Sequence, residues 1–241
     1  GGYRDHLPCY MSGHHHDTTE AYVEEALRAR DQGFAGYKDH CHLGADGMAG
    51  VARACREAVG EDFHLMHDAM AQYILVDALR LGRVLDETGY YWFEEPLKDC
   101  DIMGLKQLCD ALDLPIAATE YLPGTAHATS QVLAQGAADI VRASVPWRGG
   151  ITDMLKIARL AESFDVACEI TSVGTSFGFV HAHVIGALRN CTFFEGWKPG
   201  SLGGEPYLTN PIHIVDGHVE VPQGPGLGMQ LNWAAIEAGV S

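Results

Sequence analysis

Tyr91-Trp92-Phe93-Glu94-Glu95-Pro96-Leu97 is an apolar run that ends in two carboxylates and a proline. Its aromatic residues suit a buried strand, and the proline stops it. The same pattern recurs along the whole chain. Short apolar runs at 7–11, 36–40, 63–68, 92–95, 116–120, 140–144, 167–171 and 192–195 read as strands. Amphipathic stretches at about 18–31, 46–59, 74–88, 101–112, 127–135, 150–164 and 176–189 lie between them. Eight strands alternating with seven helices predict βα units around a parallel sheet. Asp17-Thr18-Thr19-Glu20 reads as a helix cap, and Gly33, Gly60, Gly89 and Gly136 follow helical stretches, where a left-handed residue ends a helix. Such a sheet closes into an α/β, TIM-like (β/α)7β barrel or stays open. No G-x-G-x-x-G or G-x-x-x-x-G-K-[ST] follows a strand, which removes the usual support for an open nucleotide-binding sheet.

Composition narrows the partners. With 241 residues, 47% of them hydrophobic, the chain can bury a sizeable core. Sixteen Lys and Arg against 32 Asp and Glu give a net charge of −16, which repels phosphate and excludes nucleic acid and anionic membrane as expected partners. No apolar run approaches the roughly 18 residues of a spanning helix. The opening Gly1-Gly2-Tyr3-Arg4-Asp5-His6 has no signal-peptide core. Seven cysteines without a C-x-x-C pair argue against a disulfide framework and predict a reducing, cytoplasmic setting.

The predicted strands end in charge. The second ends Lys38-Asp39-His40, the third His67-Asp68, the fourth Glu94-Glu95, the fifth Thr119-Glu120 and the eighth Glu195. Asp68 and Glu120 lie 26 residues before and after Glu94, which predicts the three carboxylates at one height on adjacent strands. Carboxylates about 4 Å apart repel by roughly 4 kcal/mol per pair at an effective dielectric of 20. A hard divalent ion, Mg²⁺ before Zn²⁺, would relieve that repulsion. The alternative is three unrelated strand-end carboxylates, each capping the next helix.

Together these residues resemble the enolase superfamily, and within it the mandelate racemase-like branch. The resemblance rests on the 91–97 run, on His67-Asp68 and Ala118-Thr119-Glu120, on the Lys-x-His of the second strand, and on Gly149-Gly150-Ile151-Thr152 opening the sixth helix. It implies that Asp68, Glu94 and Glu120 ligate Mg²⁺, with Glu94 rather than Glu95 as ligand. It implies a small carboxylate substrate that loses its α-proton to give an enediolate. A Lys or His base beside Mg²⁺ is the known pairing of that superfamily, and it enters here by resemblance alone. The resemblance further implies a homo-oligomer, with residues 1–6 as the lead-in from an N-terminal capping domain, 7–198 as the barrel, and 199–241 as C-terminal loops, a small hairpin near Ile212–Val221 and a short helix.

A period of two points Lys38 and His40 inward and Asp39 outward. By resemblance, Lys38 stands near the substrate carboxylate and His40 replaces the lysine that takes the proton. Histidine, with a pKa of about 6.5, can do so at neutral pH. The bland reading of His40 is a polar residue at the barrel mouth. Opposite, relatives of the racemase branch carry an Asp on the sixth strand and a His on the seventh; here Ser144 and Thr171 stand there. Neither is a base, which favours dehydration of a sugar acid, or another one-face lyase or isomerase reaction such as epimerisation or cycloisomerisation, over two-base racemisation. Glu195 matches a position that binds the substrate carboxylate, as a protonated or shared-proton group. Glu169 is expected to be buried, with Arg142 as its partner. Gly13-His14-His15-His16 reads as a solvated loop, or as the source of the acid missing across the site. Two rivals remain. His40-Cys41-His42 and His181-Ala182-His183 raise a zinc hydrolase on a barrel, and Ser144 with Thr171 raise a non-catalytic metal- and acid-binding homologue.

Overall fold

The computed structural model of the chain describes residues 2–171, 175–197 and 207–239. Strand β1 (His6–Ser12) precedes α1 (Thr19–Asp31), β2 (Gly36–Asp39) precedes α2 (Gly44–Val59), β3 (His64–Asp68) precedes α3 (Leu75–Glu87), and β4 (Trp92–Glu94) precedes α4 (Ile102–Ala111). The second half repeats the plan with β5 (Ile116–Ala118), α5 (Ala126–Gln135), β6 (Ile140–Ala143), α6 (Gly150–Ser163), β7 (Ala167–Ile170), α7 (Thr175–Gly186) and β8 (Phe194–Trp197). The strands pair in the order β7-β6-β5-β4-β3-β2-β1-β8, all parallel, and the sheet nearly closes into a TIM-like barrel. Among the described residues no helix is long and apolar enough to cross a membrane.

Two apolar layers hold this plan. The larger lies between strands and helices. α2 shows why: Met48, Val51, Ala52, Cys55 and Val59 recur at helical spacing and are all buried. The smaller fills the lower barrel interior with Tyr10, Met66, Trp92, Ala117, Ile140 and Phe193. Tyr10 meets Trp92 and Phe193 edge-on, at 5.5 and 6.0 Å between ring centroids. This aromatic floor leaves the C-terminal ends of the strands to polar groups, where barrel active sites lie.

Three details differ from expectation. No ladder joins β7 to β8 among the described residues. Instead the Glu169 carboxylate accepts the Thr192 and Phe193 N–H groups at 2.8 and 3.1 Å, and Cys168 N–H donates to the Asn190 carbonyl at 2.7 Å. Glu169 therefore takes backbone donors, not Arg142, as its hydrogen-bond partners, because those donors lack a strand to pair with. The small hairpin expected near Ile212–Val221 is present as a tight turn at Asp216-Gly217 that bridges Val215 and His218, and its second arm, β9 (His218–Glu220), also pairs antiparallel with the start of β1. The cap of α1 is Thr18, whose hydroxyl accepts the Ala21 N–H at 3.3 Å, one residue later than the Asp17 reading. The closing helix is α8 (Trp233–Glu237). Pro199 and Gly203-Gly204, part of the expected C-terminal loops, lie outside the described residues.

The loop after β1 is tied to α1 and β2. Gly13 donates to the Lys38 carbonyl at 2.9 Å, and a Cβ there would lie 2.5 Å from the Tyr37 ring, so no larger residue fits. Buried Glu25 on α1 accepts from His14 N–H (3.0 Å), His16 Nε2 (2.9 Å) and Tyr37 hydroxyl (3.0 Å). Burial alone would raise its carboxyl; the His14 and His16 donors outweigh it and hold the group at about 2. A carboxyl depressed by folding adds stability above its unfolded value of 4.5 and loses it as pH falls toward about 2. Glu25→Gln should cost about 1–3 kcal/mol at pH 7. Urea titrations of the two proteins should converge as pH falls through that window; a gap of constant size would show that the Glu25 charge is not what holds the loop.

Candidate active site

Asp68 and Glu94 end β3 and β4 and are register partners. Glu120 is not in register with them. β5 stops at Ala118, and the partner of Glu94 is Ala117. Glu120 reaches the site through a turn at Thr119, whose φ is +88°. Met70 (+47°), Ala71 (+58°) and Glu95 (+44°) share this left-handed region beside the other two carboxylates. Each such non-glycine residue costs roughly 1–3 kcal/mol and persists only where its surroundings fix it. Here they do. Glu95 accepts the Glu120 N–H at 2.9 Å, Asp99 accepts the Thr119 N–H at 2.9 Å, and the Thr119 hydroxyl donates to the Arg142 carbonyl at 3.0 Å. Sequence reading missed Asp99 and this role of Glu95; the doubled Glu94-Glu95 was the one available signal. The outcome is that oxygens of buried Asp68, Glu94 and Glu120 lie within 4.8 Å of one another.

Two cations lie beneath them. Lys38 Nζ, 1% exposed as a residue, is 3.0 and 3.1 Å from the two Glu94 oxygens, 3.0 Å from Glu195 and 3.6 Å from Asp68. Arg142 donates to Glu94 at 2.8 Å, to Glu195 at 3.2 Å and to the Thr171 hydroxyl at 2.6 Å. Both stand over the aromatic floor, Lys38 5.4 Å from the Tyr10 ring centre and Arg142 5.7 Å from that of Trp92. Trp92 Nε1 donates to Glu94 at 2.9 Å. Burial opposes the charge on Lys38, but Glu195 and Glu94 drive its pKa well above the ordinary value. Burial likewise opposes the charge on Glu195, and Lys38 with Arg142 hold its carboxyl at about 2. Glu195 is therefore an ionised bridge between two cations, not the protonated or shared-proton donor expected from the sequence.

Glu120 differs from its neighbours. It is 4% exposed and has no ion pair or side-chain hydrogen bond among the described residues. Burial pushes its carboxyl up to about 8. Fully ionised, Asp68, Glu94, Glu120 and Glu195 would exceed Lys38 and Arg142 by two negative charges. An all-oxygen cluster with that excess and one unpartnered carboxylate fits a hard divalent cation.

His40, 9% exposed, donates from Nδ1 to the Gly13 carbonyl at 3.0 Å, and its Nε2 lies 3.3 Å from Asp68. Burial would lower its pKa, but Asp68 raises it above the ordinary value. Behind it, outward-facing Asp39 meets His67 Nδ1 at 2.7 Å, and His67 Nε2 lies 3.1 Å from the Tyr73 hydroxyl, which locks the ends of β2 and β3. His15 donates to the His40 carbonyl at 2.7 Å. It therefore stands beside His40, not across from it, so the triple histidine supplies no acid on the opposite wall. There, Thr171 is engaged by Arg142, and buried Ser144 Oγ has no partner among the described residues. Neither His-x-His pair converges. His42 faces Asp17 at 3.7 Å, His181 accepts the Val145 N–H at 3.4 Å, and His183 meets the Leu227 carbonyl at 3.1 Å. A zinc centre on these pairs is thus excluded by geometry. Above the carboxylates opens a cavity of 460 Å³ lined by Lys38, His40, Asp68, Glu120, Thr171 and Glu195, among others. A larger one of 740 Å³ lies under the C-terminal segment, away from the cluster.

The family described as enolase C-terminal domain-like matches residues 21–235. The chain belongs to this family. It is 31% identical over 238 residues to L-talarate/galactarate dehydratase of Salmonella typhimurium, covering 96% of this chain and 57% of that protein. It is 30% identical to arabinonate dehydratase of Saccharolobus solfataricus, covering 98% and 64%. The crystal structure of D-glucarate dehydratase from Agrobacterium tumefaciens, complexed with magnesium, superposes with a TM-score of 0.91 at 33% identity, over 99% of this chain and 66% of that one. The chain thus spans about six-tenths of the length of the enolase-superfamily proteins it matches.

A cation entering the cluster must displace the proton that Glu120 holds below pH 8 or so. Mg²⁺ affinity should therefore rise with pH, by up to about tenfold per unit for each proton released, and flatten above about 8. Glu120→Gln should weaken binding and flatten the profile. Calorimetric Mg²⁺ titrations between pH 6 and 9 decide this, and affinity independent of pH in the unaltered protein would contradict it.

Proposed function

We propose that this barrel belongs to a Mg²⁺-dependent lyase that removes the proton α to a carboxylate and dehydrates a sugar acid. The observation that carries the reading is a site with its cation and its proton-transfer group on one wall: Lys38 on β2 and His40 directly after it, against Ser144 and Thr171 opposite. Mg²⁺ held by Asp68, Glu94 and Glu120 would supply fixed positive charge for the substrate carboxylate.

The chain's own groups divide the remaining work. Lys38, locked by Glu94 and Glu195, is a permanent cation at the cavity floor and meets the charge that develops on the substrate. His40 is oriented by the Gly13 carbonyl, which accepts a hydrogen bond from Nδ1–H. Neutral His40, the form that gains as pH rises past its raised pKa, carries its lone pair on Nε2, on the side of Asp68 and the cavity. That atom can take the α-proton and return it to a hydroxyl leaving from the same face, so the net reaction is loss of water. Glu195 and Arg142 hold Lys38 in place and exclude water from beneath it. The relatives named as sugar-acid dehydratases support this reaction class. A one-face isomerase remains the second reading, since the same wall can return the proton to carbon. The seven free cysteines accord with the expected cytoplasmic setting; the expected homo-oligomer belongs to the same proposal.

His40→Ala should slow α-proton exchange in deuterated solvent roughly a hundredfold or more, while Mg²⁺ affinity changes little. NMR of a panel of sugar acids with Mg²⁺ follows both exchange and the keto-acid product. Unchanged exchange in the variant would remove His40 from the mechanism. Binding without any exchange in the unaltered protein would leave only the non-catalytic reading.

A further inference from the structure

Eight strands in one nearly closed round place β2 and β6 diametrically opposite. The wall facing Lys38 and His40 therefore comes from the loops after β5 and β6. It holds no base, but it does hold two large aromatic rings. Tyr121 and Trp147 stack at 5.1 Å between centroids with a 29° interplanar angle, and both line the cavity above the carboxylates. They are 61% and 47% exposed, so no described part of the chain covers them. Across the cavity, the β1–β2 wall is lined by His14, His15 and His40. The cavity is thus two-sided, with polar imidazoles on one wall and a flat apolar platform on the other.

We infer that Trp147, backed by Tyr121, is a specificity platform that selects a polyhydroxylated acid with a chain long enough to lie across the cavity. This rests on the acid-binding reading proposed above. A sugar acid has hydroxyl groups that suit the imidazole wall and C–H groups that suit an indole face. Aromatic faces give such a ligand large contact area at small entropic cost, because a ring with two torsions has little freedom to lose. The stacking of Tyr121 reduces that freedom further. A volume of 460 Å³ lies in the range of small-ligand sites and greatly exceeds what a three-carbon acid fills. On this reading a short acid held at the carboxylate cluster leaves the platform uncovered, while a five- or six-carbon acid extends toward it within the same cavity. The platform acts on substrate selection and not on proton transfer.

The test compares glycerate, arabinonate and galactarate as ligands of the Mg²⁺-loaded protein by calorimetry, with α-proton exchange followed on the same samples. The unaltered protein should bind the two longer acids at least tenfold more tightly than glycerate. Trp147→Ala should weaken the longer acids about tenfold and leave glycerate within twofold, and Trp147→Phe should restore most of the preference. Equal losses on all three acids, no loss on any, or no chain-length preference in the unaltered protein (absence of binding included) would overturn the platform. A preference that depends on Trp147, seen without exchange of any acid, would instead overturn the enzymatic reading and leave the platform standing. Exchange of the longer acids, with binding that Trp147→Ala leaves unchanged, would do the reverse.

Discussion

Lys38 Nζ lies 3.0 Å from both Glu94 and Glu195, and Arg142 bridges the same two carboxylates from the other side. This buried square of charge sets the terms for everything around it. Buried ions are costly unless paired, and here the pairing is incomplete: Asp68 and Glu120 share the space without a cation of their own in equal measure. Asp68 finds Lys38 and His40 at 3.6 and 3.3 Å; Glu120 finds no such partner among the described residues. Carboxylate oxygens up to 4.8 Å apart repel by roughly 3–4 kcal/mol at an effective dielectric of 20. The aromatic floor of Tyr10 and Trp92 beneath the cations keeps water from relieving this from below.

The fold absorbs that stress at strand ends. Thr119 and Glu95 have positive φ and are clamped by Asp99, by the Glu120 N–H and by the Arg142 carbonyl. Each clamp is an ordinary hydrogen bond worth about 1 kcal/mol net. Several together match the strain of the turns they hold. Glu169 does a comparable job at the β7–β8 seam, where a side chain takes two backbone donors that a strand ladder would otherwise use.

The alternation of strands and helices was legible because it is local: apolar period and glycine punctuation act within a few residues. Asp68, Glu94 and Glu120 were legible as a set because βα units recur at similar length. Their common height was only half right, because β5 ends at Ala118 and the backbone turns at Thr119. No periodicity marks a left-handed threonine. The state of Glu195 was missed for a different reason. Its charge depends on Arg142, 53 residues away in sequence, and nothing in either strand announces that contact. The pairing of β9 with β1 was equally invisible, since the two lie at opposite ends of the chain and Val215–His218 offers a turn of its own.

Charge also constrains the order in which this site can be filled. The chain carries −16 overall, and its cavity floor carries an excess of two negative charges once Glu120 is ionised. Lys38 and Arg142 are already committed to Glu94 and Glu195, so they offer an incoming anion little net attraction. An organic acid entering first would add a carboxylate to a cluster that already repels itself. A divalent cation entering first meets a field that attracts it at long range and neutralises the excess on arrival. On the proposed reading, an acid arriving next would meet a less negative floor and the locked ammonium of Lys38. Metal before acid thus follows from the imbalance around Glu94, as does the need for a separate source of selectivity. The floor can recognise a carboxylate but not what is attached to it, and that leaves discrimination to the walls above.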